Sequence, residues 1–351
     1  MRRYRVVVIA GDGIGPEVTA AALAVLTAAQ DGFALDIDPH VAGAGHYRET
    51  GRAMDDATLA ACRAADGVLK GPVGDPAVRA PDGTEAGTLG GILRPGLDAY
   101  ANVRPVRLYP GVTSALRGVA AGGIDYVIVR ENTEGLYASR GKGTVTEDGV
   151  TDYMTMSRTG ITRVVRKAFA VAAARQGSPD GVRRVTCVDK ANVLRGFALF
   201  REIFDTVAAD HPGIVADHLY ADAAAAALIE RPGTFDVLVT ENFVGDILSD
   251  LGAATVGGLG MGPSGNIGDA SAYFEPVHGS ANGLAGSDRA NPIATILSGA
   301  LLLDWLGEPA AAARIRAAVA RTLATGTVTL HPDGTAAGGT RAAATAVIAA
   351  L

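Results

Sequence analysis

The sequence predicts an α/β protein with a mostly parallel central sheet. Three observations carry this prediction. Strand-length apolar runs rich in Val and Ile recur along the chain. A segment of helix length trails each of them. Glycine and proline mark the exchanges as tight turns rather than linkers. Strands and helices that alternate this way build parallel sheets with crossover helices. With 351 residues the chain is long enough for two domains, and its 48% hydrophobic content provides for their cores.

The elements follow in order. RVVVIA (5–10) is a buried strand, and the helix after it opens at Pro16, a good first-turn residue. GVLKG (67–71) reads as another buried strand. IDYVIVR (124–130), RRVTCVDK (183–190), IVADHLY (214–220) and FDVLVT (235–240) come next, each trailed by a helix-length segment. Glycine clusters at 252–268 and 335–339 are expected to be tight turns. The polar, glycine-rich stretch RGKGTVTEDGVTDY (140–153) reads as an arm that leaves the sheet toward a partner subunit. No internal repeat and no disordered tail is visible.

Composition excludes several function classes. A net charge of −6 and a pI near 5.5, without any basic run, argue against nucleic acid or an anionic membrane as partner. No uninterrupted apolar stretch approaches membrane-spanning length. The N-terminus is basic and then apolar, but the apolar run is too short for a signal peptide and ends in a glycine turn. Cys62 and Cys187 lie in apolar segments and read as small core residues in a reducing compartment. The expectation is a soluble cytoplasmic protein.

ENFVGDILSD (241–250) is the segment richest in chemical information. Asp246 and Asp250 stand four apart in a helical pattern, so both carboxylates share one face, roughly 6 Å apart at Cβ. Like charges so placed are either solvated or bridged by a cation, and oxygen-only ligands suit a hard ion such as Mg²⁺ or Mn²⁺. Arg94, Arg104 and Arg130 offer guanidinium forks of the kind that grip carboxylates bidentately. Arg130 ends an apolar strand, where α/β sheets place ligands. Singly, each arginine reads equally as a surface residue or a structural ion pair. Tyr137 and Lys190 form a candidate acid–base pair, since a desolvated lysine can shuttle protons. Alone they read as a packing tyrosine and a snorkelling lysine. Asp222 opens DAAAAALIE and reads as a helix N-cap or as a metal ligand.

GDGIG (11–15) follows a strand and precedes a helix. Its spacing is G-x-G-x-G with Pro16 next, which is not the dinucleotide fingerprint G-x-G-x-x-G. A helix N-terminus offering N–H groups to an anion is the reading that remains. In EPVHGSANGLAG (275–286), His278, Gly279 and Ser280 present backbone donors to a phosphate, or pack an adenine, or form an ordinary glycine-rich connection. His40, His46, His211, His218 and His331 have no recurring ligand spacing and are expected at the surface.

Together these segments resemble the β-decarboxylating dehydrogenases of the isocitrate and 3-isopropylmalate dehydrogenase family, which includes homoisocitrate and tartrate enzymes. The likeness runs from GDGIGPE (11–17) through YANVRPVRLYPGV (100–112), VRENTEGLY (129–137), DKANVL (189–194), TENFVGDILSDL (240–251) and GLGMGPSGNIGD (258–269) to EPVHGSA and ANPIATILS. It implies a two-domain fold without a Rossmann cofactor site. Residues 1–98 and 257–351 would form a discontinuous large domain that binds the cofactor. Residues 99–256 would form the second domain, carrying the dimer interface and metal ligands. By the same resemblance Arg94, Arg104 and Arg130 would clamp the substrate's malate carboxylates, with Thr88 beside them. Asp246 and Asp250, with Asp222 from the other subunit, would hold Mg²⁺ or Mn²⁺. Tyr137 and the partner's Lys190 would handle protons, with Asp222 nearby. The nicotinamide cofactor would lie against Ile14, Glu275, His278, Gly279, Ser280, Ala281 and Asn291.

The resemblance breaks at the specificity segment EAGTLGGILR (85–94). Isopropylmalate enzymes resembling this one carry a leucine pair where Gly90 and Gly91 stand, homoisocitrate enzymes an arginine at 91, isocitrate enzymes a serine at 88, and tartrate or D-malate enzymes a tryptophan at 87. The glycines admit a bulky 3-substituent, or expose N–H groups to a distal anion, or only permit a local turn. The expected substrate is a 3-substituted (R)-malate with a distal acidic group, homoisocitrate-like. 3-Isopropylmalate, isocitrate and D-malate or tartrate are the alternatives. NAD is expected over NADP, although Gly283 lacks the acid that would hold the ribose. A catalytically inactive ligand-binding or regulatory paralogue, or a non-redox decarboxylase, is the reading from a different class.

Overall fold

A computed structural model describes residues 1–351. In chain order its main strands are β1 (Arg2–Ile9), β2 (Phe33–His40), β3 (Gly67–Lys70), β4 (Ala101–Arg107), β5 (Asp125–Glu131), β6 (Thr144–Val145), β7 (Val150–Thr151), β8 (Arg184–Asp189), β9 (Val215–Tyr220), β10 (Val237–Thr240), β11 (Pro263–Ile267) and β12 (Ala272–Pro276). Its helices are α1 (Gly15–Ala28), α2 (Ala44–Thr50), α3 (Asp56–Ala64), α4 (Gly90–Gly96), α5 (Arg158–Ala174), α6 (Arg195–Ala208), α7 (Ala221–Glu230), α8 (Asn242–Thr255), α9 (Ile293–Trp305), α10 (Pro309–Ala324) and α11 (Thr340–Ala349). The chain divides into two compact units. The first holds Met1–Ala99, Tyr109–Thr113 and Gly257–Leu351, and the second holds Tyr100–Leu108 and Ser114–Val256.

In the first unit the strand order is β2-β1-β3-β12-β11. The β2–β1, β1–β3 and β3–β12 pairs are parallel, and only β12–β11 is antiparallel. Val7, Ile9, Val68, Leu89, Leu93 and Tyr273 pack in one core cluster here. Helix α9 is apolar on every face and buried along nearly its whole length, as a helix enclosed by other elements must be. The second unit has the order β4-β5-β10-β8-β9, again with one antiparallel pair, β4–β5. Its central strands β5, β10 and β8 are almost wholly buried, which explains their continuous apolar runs. Ser157 caps α5 by accepting from Gly160 N at 2.9 Å.

The fold is α/β with mostly parallel strands, as expected, but β2, β4, β11 and β12 were not foreseen. The glycine cluster at 252–268 is not one set of turns. It contains the end of α8 and the buried strand β11. That strand hides two polar residues, Ser264 and Asn266, and Gly265 lies so close to Phe274 that a Cβ there would approach its ring to 2.9 Å. Polar, glycine-bearing strands have no hydropathy signature. Nor are the histidines free surface groups, apart from the exposed His331. His40 and His46 pair with Asp38 and Asp55, His218 pairs with Asp205, and His211 stacks on Phe169. Cys62 and Cys187 are buried free thiols. The segment 140–153 does form a small hairpin, β6–β7, with Val145 and Val150 exposed. No helix is long and apolar enough to cross a membrane.

Candidate active site

Helix α8 organises the second unit's polar cluster. Glu241 precedes it and caps it, accepting from Phe243 N and Val244 N at 3.0 and 3.2 Å. Asn242, Asp246 and Asp250 then follow at four-residue spacing, so all three share one face. That face meets two arginines from β4 and β5. Arg130 is almost fully buried and donates Nε and Nη2 to Asn242 Oδ1 at 3.0 and 2.7 Å, and Nη1 to Asp246 Oδ1. Arg104, also buried, donates Nη1 to Ser249 Oγ at 2.6 Å and lies 3.5 and 3.4 Å from Asp246 and Asp250. Its Nε is held by Asn102. Tyr137 donates its hydroxyl to Asp246 Oδ2 at 2.8 Å, and its ring meets Phe243 edge-on. Partial burial, aided by the charge of Asp246, raises the Asp250 carboxyl above its usual range against the pull of Arg104.

Lys190 and Asp222 make a second group in the same unit. Lys190 Nζ donates to Asp222 Oδ1 at 2.6 Å, and this bond lowers the Asp222 carboxyl. Asp222 is not the helix N-cap expected from its place in the sequence. Tyr220 occupies that position, and Asp222 sits in the first turn with its carboxylate turned to the lysine.

The first unit carries the remaining candidates. Arg94 lies near the end of α4, and its guanidinium folds back over Gly90, where an added Cβ would stand 3.5 Å from Nε. Thr88 lies two residues before this helix. A Cβ at Gly91 would meet nothing within 4 Å. Gly87 is different: its φ is +79° and a Cβ would strike Ala44 Cα at 2.4 Å, so no tryptophan fits there.

The glycines of GDGIG do not present a bare helix end. Ile14 N donates to Ser280 O at 2.8 Å, and a Cβ on Gly13 would collide with that carbonyl. Asp12 accepts from the N–H groups of Ala44, Gly45 and Gly74. Close backbone packing, not anion binding, accounts for the motif. The same contact brings Ile14 to the loop of His278, Gly279, Ser280 and Ala281, where Ala281 adopts a left-handed conformation, φ +39°. The buried Nε2 of His278 has no partner, and desolvation lowers this imidazole's pKa. Gly283 faces open space. Asn291 is buried and accepts from Ile293 N, the first residue of α9, at 3.1 Å. Glu275 accepts from Asn266 at 3.0 Å and pairs with Lys70 at 2.6 Å. Lys70 escaped the sequence reading, although a lysine ending the otherwise apolar strand GVLKG needs a buried partner. Asn242 and Ser249 escaped it too, despite sharing the helical register of the two aspartates.

Two aspartates on one helix face are thus backed by two arginines and a tyrosine, and the Lys190–Asp222 pair is a separate group of the same unit. Comparison with known proteins identifies the family. Residues 5–347 match the isocitrate/isopropylmalate dehydrogenase family model. The chain is 46% identical to a 3-isopropylmalate dehydrogenase of Thermobifida fusca, covering 92% of each, and 44% identical to one of Clavibacter michiganensis, also covering 92% of each. The solved isocitrate dehydrogenase of Methylococcus capsulatus superposes with a TM-score of 0.87 at 37% identity, covering 99% of both chains. A β-decarboxylating dehydrogenase of Thermococcus kodakarensis gives 0.80 at 37% identity, covering 99% of this chain and 96% of the other. The chain belongs to the isocitrate/isopropylmalate dehydrogenase family and is a β-decarboxylating hydroxy-acid dehydrogenase.

Proposed function

We propose that the enzyme oxidises 3-isopropylmalate to a 2-oxo acid and CO₂ with NAD, rather than the homoisocitrate-like acid expected from sequence. The relatives above, named 3-isopropylmalate dehydrogenases, support this substrate. The observation that carries the reaction class is the cluster of Arg104, Arg130, Tyr137, Asp246 and Asp250 on one face of α8. Open space at Gly91 favours a second reading, in which a larger 3-substituent is accepted.

Within a single chain no group of three or more acidic, histidine or cysteine side chains is arranged to hold a metal. The donor set of Asp246 and Asp250 still suits a hard divalent cation, completed by Asp222 of the partner subunit. Bound there, Mg²⁺ or Mn²⁺ would supply Lewis acidity toward the substrate's hydroxyl and carboxylate. NAD would supply the electron acceptor, held by Ile14, Glu275, His278 to Ala281 and Asn291. The orphaned His278 Nε2 and the open space at Gly283 fit a ligand in this loop. In this scheme Arg94, Arg104 and Arg130 neutralise and orient the substrate carboxylates, with Thr88 beside the 3-substituent. The partner's Lys190, steadied by the partner's Asp222, takes the proton of the C2 hydroxyl as C2 is oxidised. The β-keto acid then loses CO₂, and Tyr137 delivers a proton to C3 of the enolate. A homodimer with shared sites is part of the proposal. Its support is the exposed hairpin β6–β7 and the exposed Ile229 and Ile247 on α7 and α8.

The near-ultraviolet absorbance of reduced nicotinamide tests the assignment. The panel comprises 3-isopropylmalate, homoisocitrate, isocitrate and D-malate with NAD or NADP and Mn²⁺. The highest kcat/KM is expected for 3-isopropylmalate with NAD. A higher value for homoisocitrate or isocitrate would overturn the choice of substrate.

A further inference from the structure

The Tyr220 ring lies near two cations, at the C-terminal end of β9. Strands β8 and β9 run parallel with Asp189 opposite Tyr220. Asp189 is fully buried and takes Arg201 Nε and Nη2 of α6 at 2.8 Å each, besides the N–H of Ala191 at 2.9 Å. The Arg201 guanidinium lies 5.2 Å from the Tyr220 ring centroid. Lys190 Nζ lies 5.8 Å from the same centroid and donates to Asp222 Oδ1 at 2.6 Å. Both cations are within the range at which an aromatic face attracts them.

We propose that Tyr220 is a positioning residue: its ring, pinned by Arg201, is the platform that holds the Lys190 ammonium at Asp222. The inference rests on the reading of Lys190 as the proton carrier. A lysine side chain has a long flexible stem and a hydrated head, so one hydrogen bond to a largely exposed carboxylate restrains it weakly. The ring adds a second restraint from a different direction. Arg201 cannot drift, because its departure would strand the buried Asp189 charge. The ring is therefore held by a fixed cation and confines a mobile one. Tyr220 also leads directly into the first turn of α7, which carries Asp222. One residue thus sets the direction of both members of the Lys190–Asp222 pair. The Tyr220 hydroxyl also interacts with Arg201, so the phenylalanine variant separates the ring's contribution from the hydroxyl's.

Steady-state kinetics of three variants of the full-length enzyme test this. Tyr220→Leu should lower kcat about tenfold or more while KM for the hydroxy acid stays within about twofold, since substrate binding rests on other residues. Tyr220→Phe should restore kcat to near the wild-type value. Tyr220→Met keeps bulk without a ring and is read the same way should the leucine variant fail to fold. A ringless variant with wild-type kcat, or a phenylalanine variant as slow as the ringless ones, overturns the platform. Lys190→Met separates this from the broader reading. If it is inactive while the ringless variants are normal, only the platform falls. If it is fully active, the role of Lys190 falls and the platform with it.

Discussion

Gly245 of α8 lies directly against Arg130 of β5, so close that a Cβ at position 245 would stand 2.7 Å from Arg130 Cγ and 2.8 Å from Arg130 Cβ. No other residue lets the helix approach the strand this far. That approach brings Asp246 within reach of the guanidinium.

Gly245→Ala should therefore damage the site without touching a polar group. The clashing atoms belong to the base of Arg130, which cannot swing away. Overpacking of this kind costs about 1–3 kcal/mol. We expect a lower melting temperature and a marked loss of kcat/KM, measured by thermal denaturation and by turnover. Wild-type values in both assays would show that the helix yields easily.

Arg130→Lys tests the geometry of the fork rather than its charge. One ammonium cannot replace two donors to Asn242 and a third to Asp246. A loss of about 2–3 kcal/mol in transition-state binding is expected, roughly 30- to 150-fold in kcat/KM. A variant within fivefold of wild type would argue that charge alone suffices.

Removal of divalent cations should abolish turnover reversibly. Dialysis against a chelator is expected to give an inactive, folded protein that Mn²⁺ restores. Asp246→Asn should stay inactive at any Mn²⁺ concentration, because a neutral amide is a poor ligand for a hard cation. Full activity after chelation would remove the metal from the mechanism.

Lys70 and Glu275 should behave as one unit in stability. Both side chains are largely buried and lie 2.6 Å apart. Lys70→Met leaves the Glu275 charge poorly compensated, at a cost of about 3–5 kcal/mol. Adding Glu275→Gln should recover much of that loss, since the amide carries no charge. Denaturant unfolding of both single variants and the double variant gives the coupling directly, and simple additivity would contradict it.

The α/β class, the helix after Pro16, the strands around IDYVIVR, RRVTCVDK and FDVLVT, and the aspartates of α8 were all legible in the chain. Each signal is local: apolar runs, turn residues and a four-residue spacing follow from backbone geometry alone. Strand β11 was not legible, because Ser264, Gly265 and Asn266 carry no hydropathy pattern and find their partners in other elements, β12 and α9. Lys70 with Glu275, Asn102 with Arg104 and Gly245 with Arg130 were hidden for a related reason, since each takes its meaning from another strand or helix. The sequence by itself determined the secondary-structure pattern, the reaction chemistry on offer and the spacing of acids on α8. Only the tertiary structure decided which donors hold those acids, that GDGIG packs backbone against backbone, and that Tyr220 lies close to both Lys190 and Arg201. Hydrogen bonds, ion pairs and close contacts act over a few ångströms of space, and the residues that make them need not be neighbours along the chain.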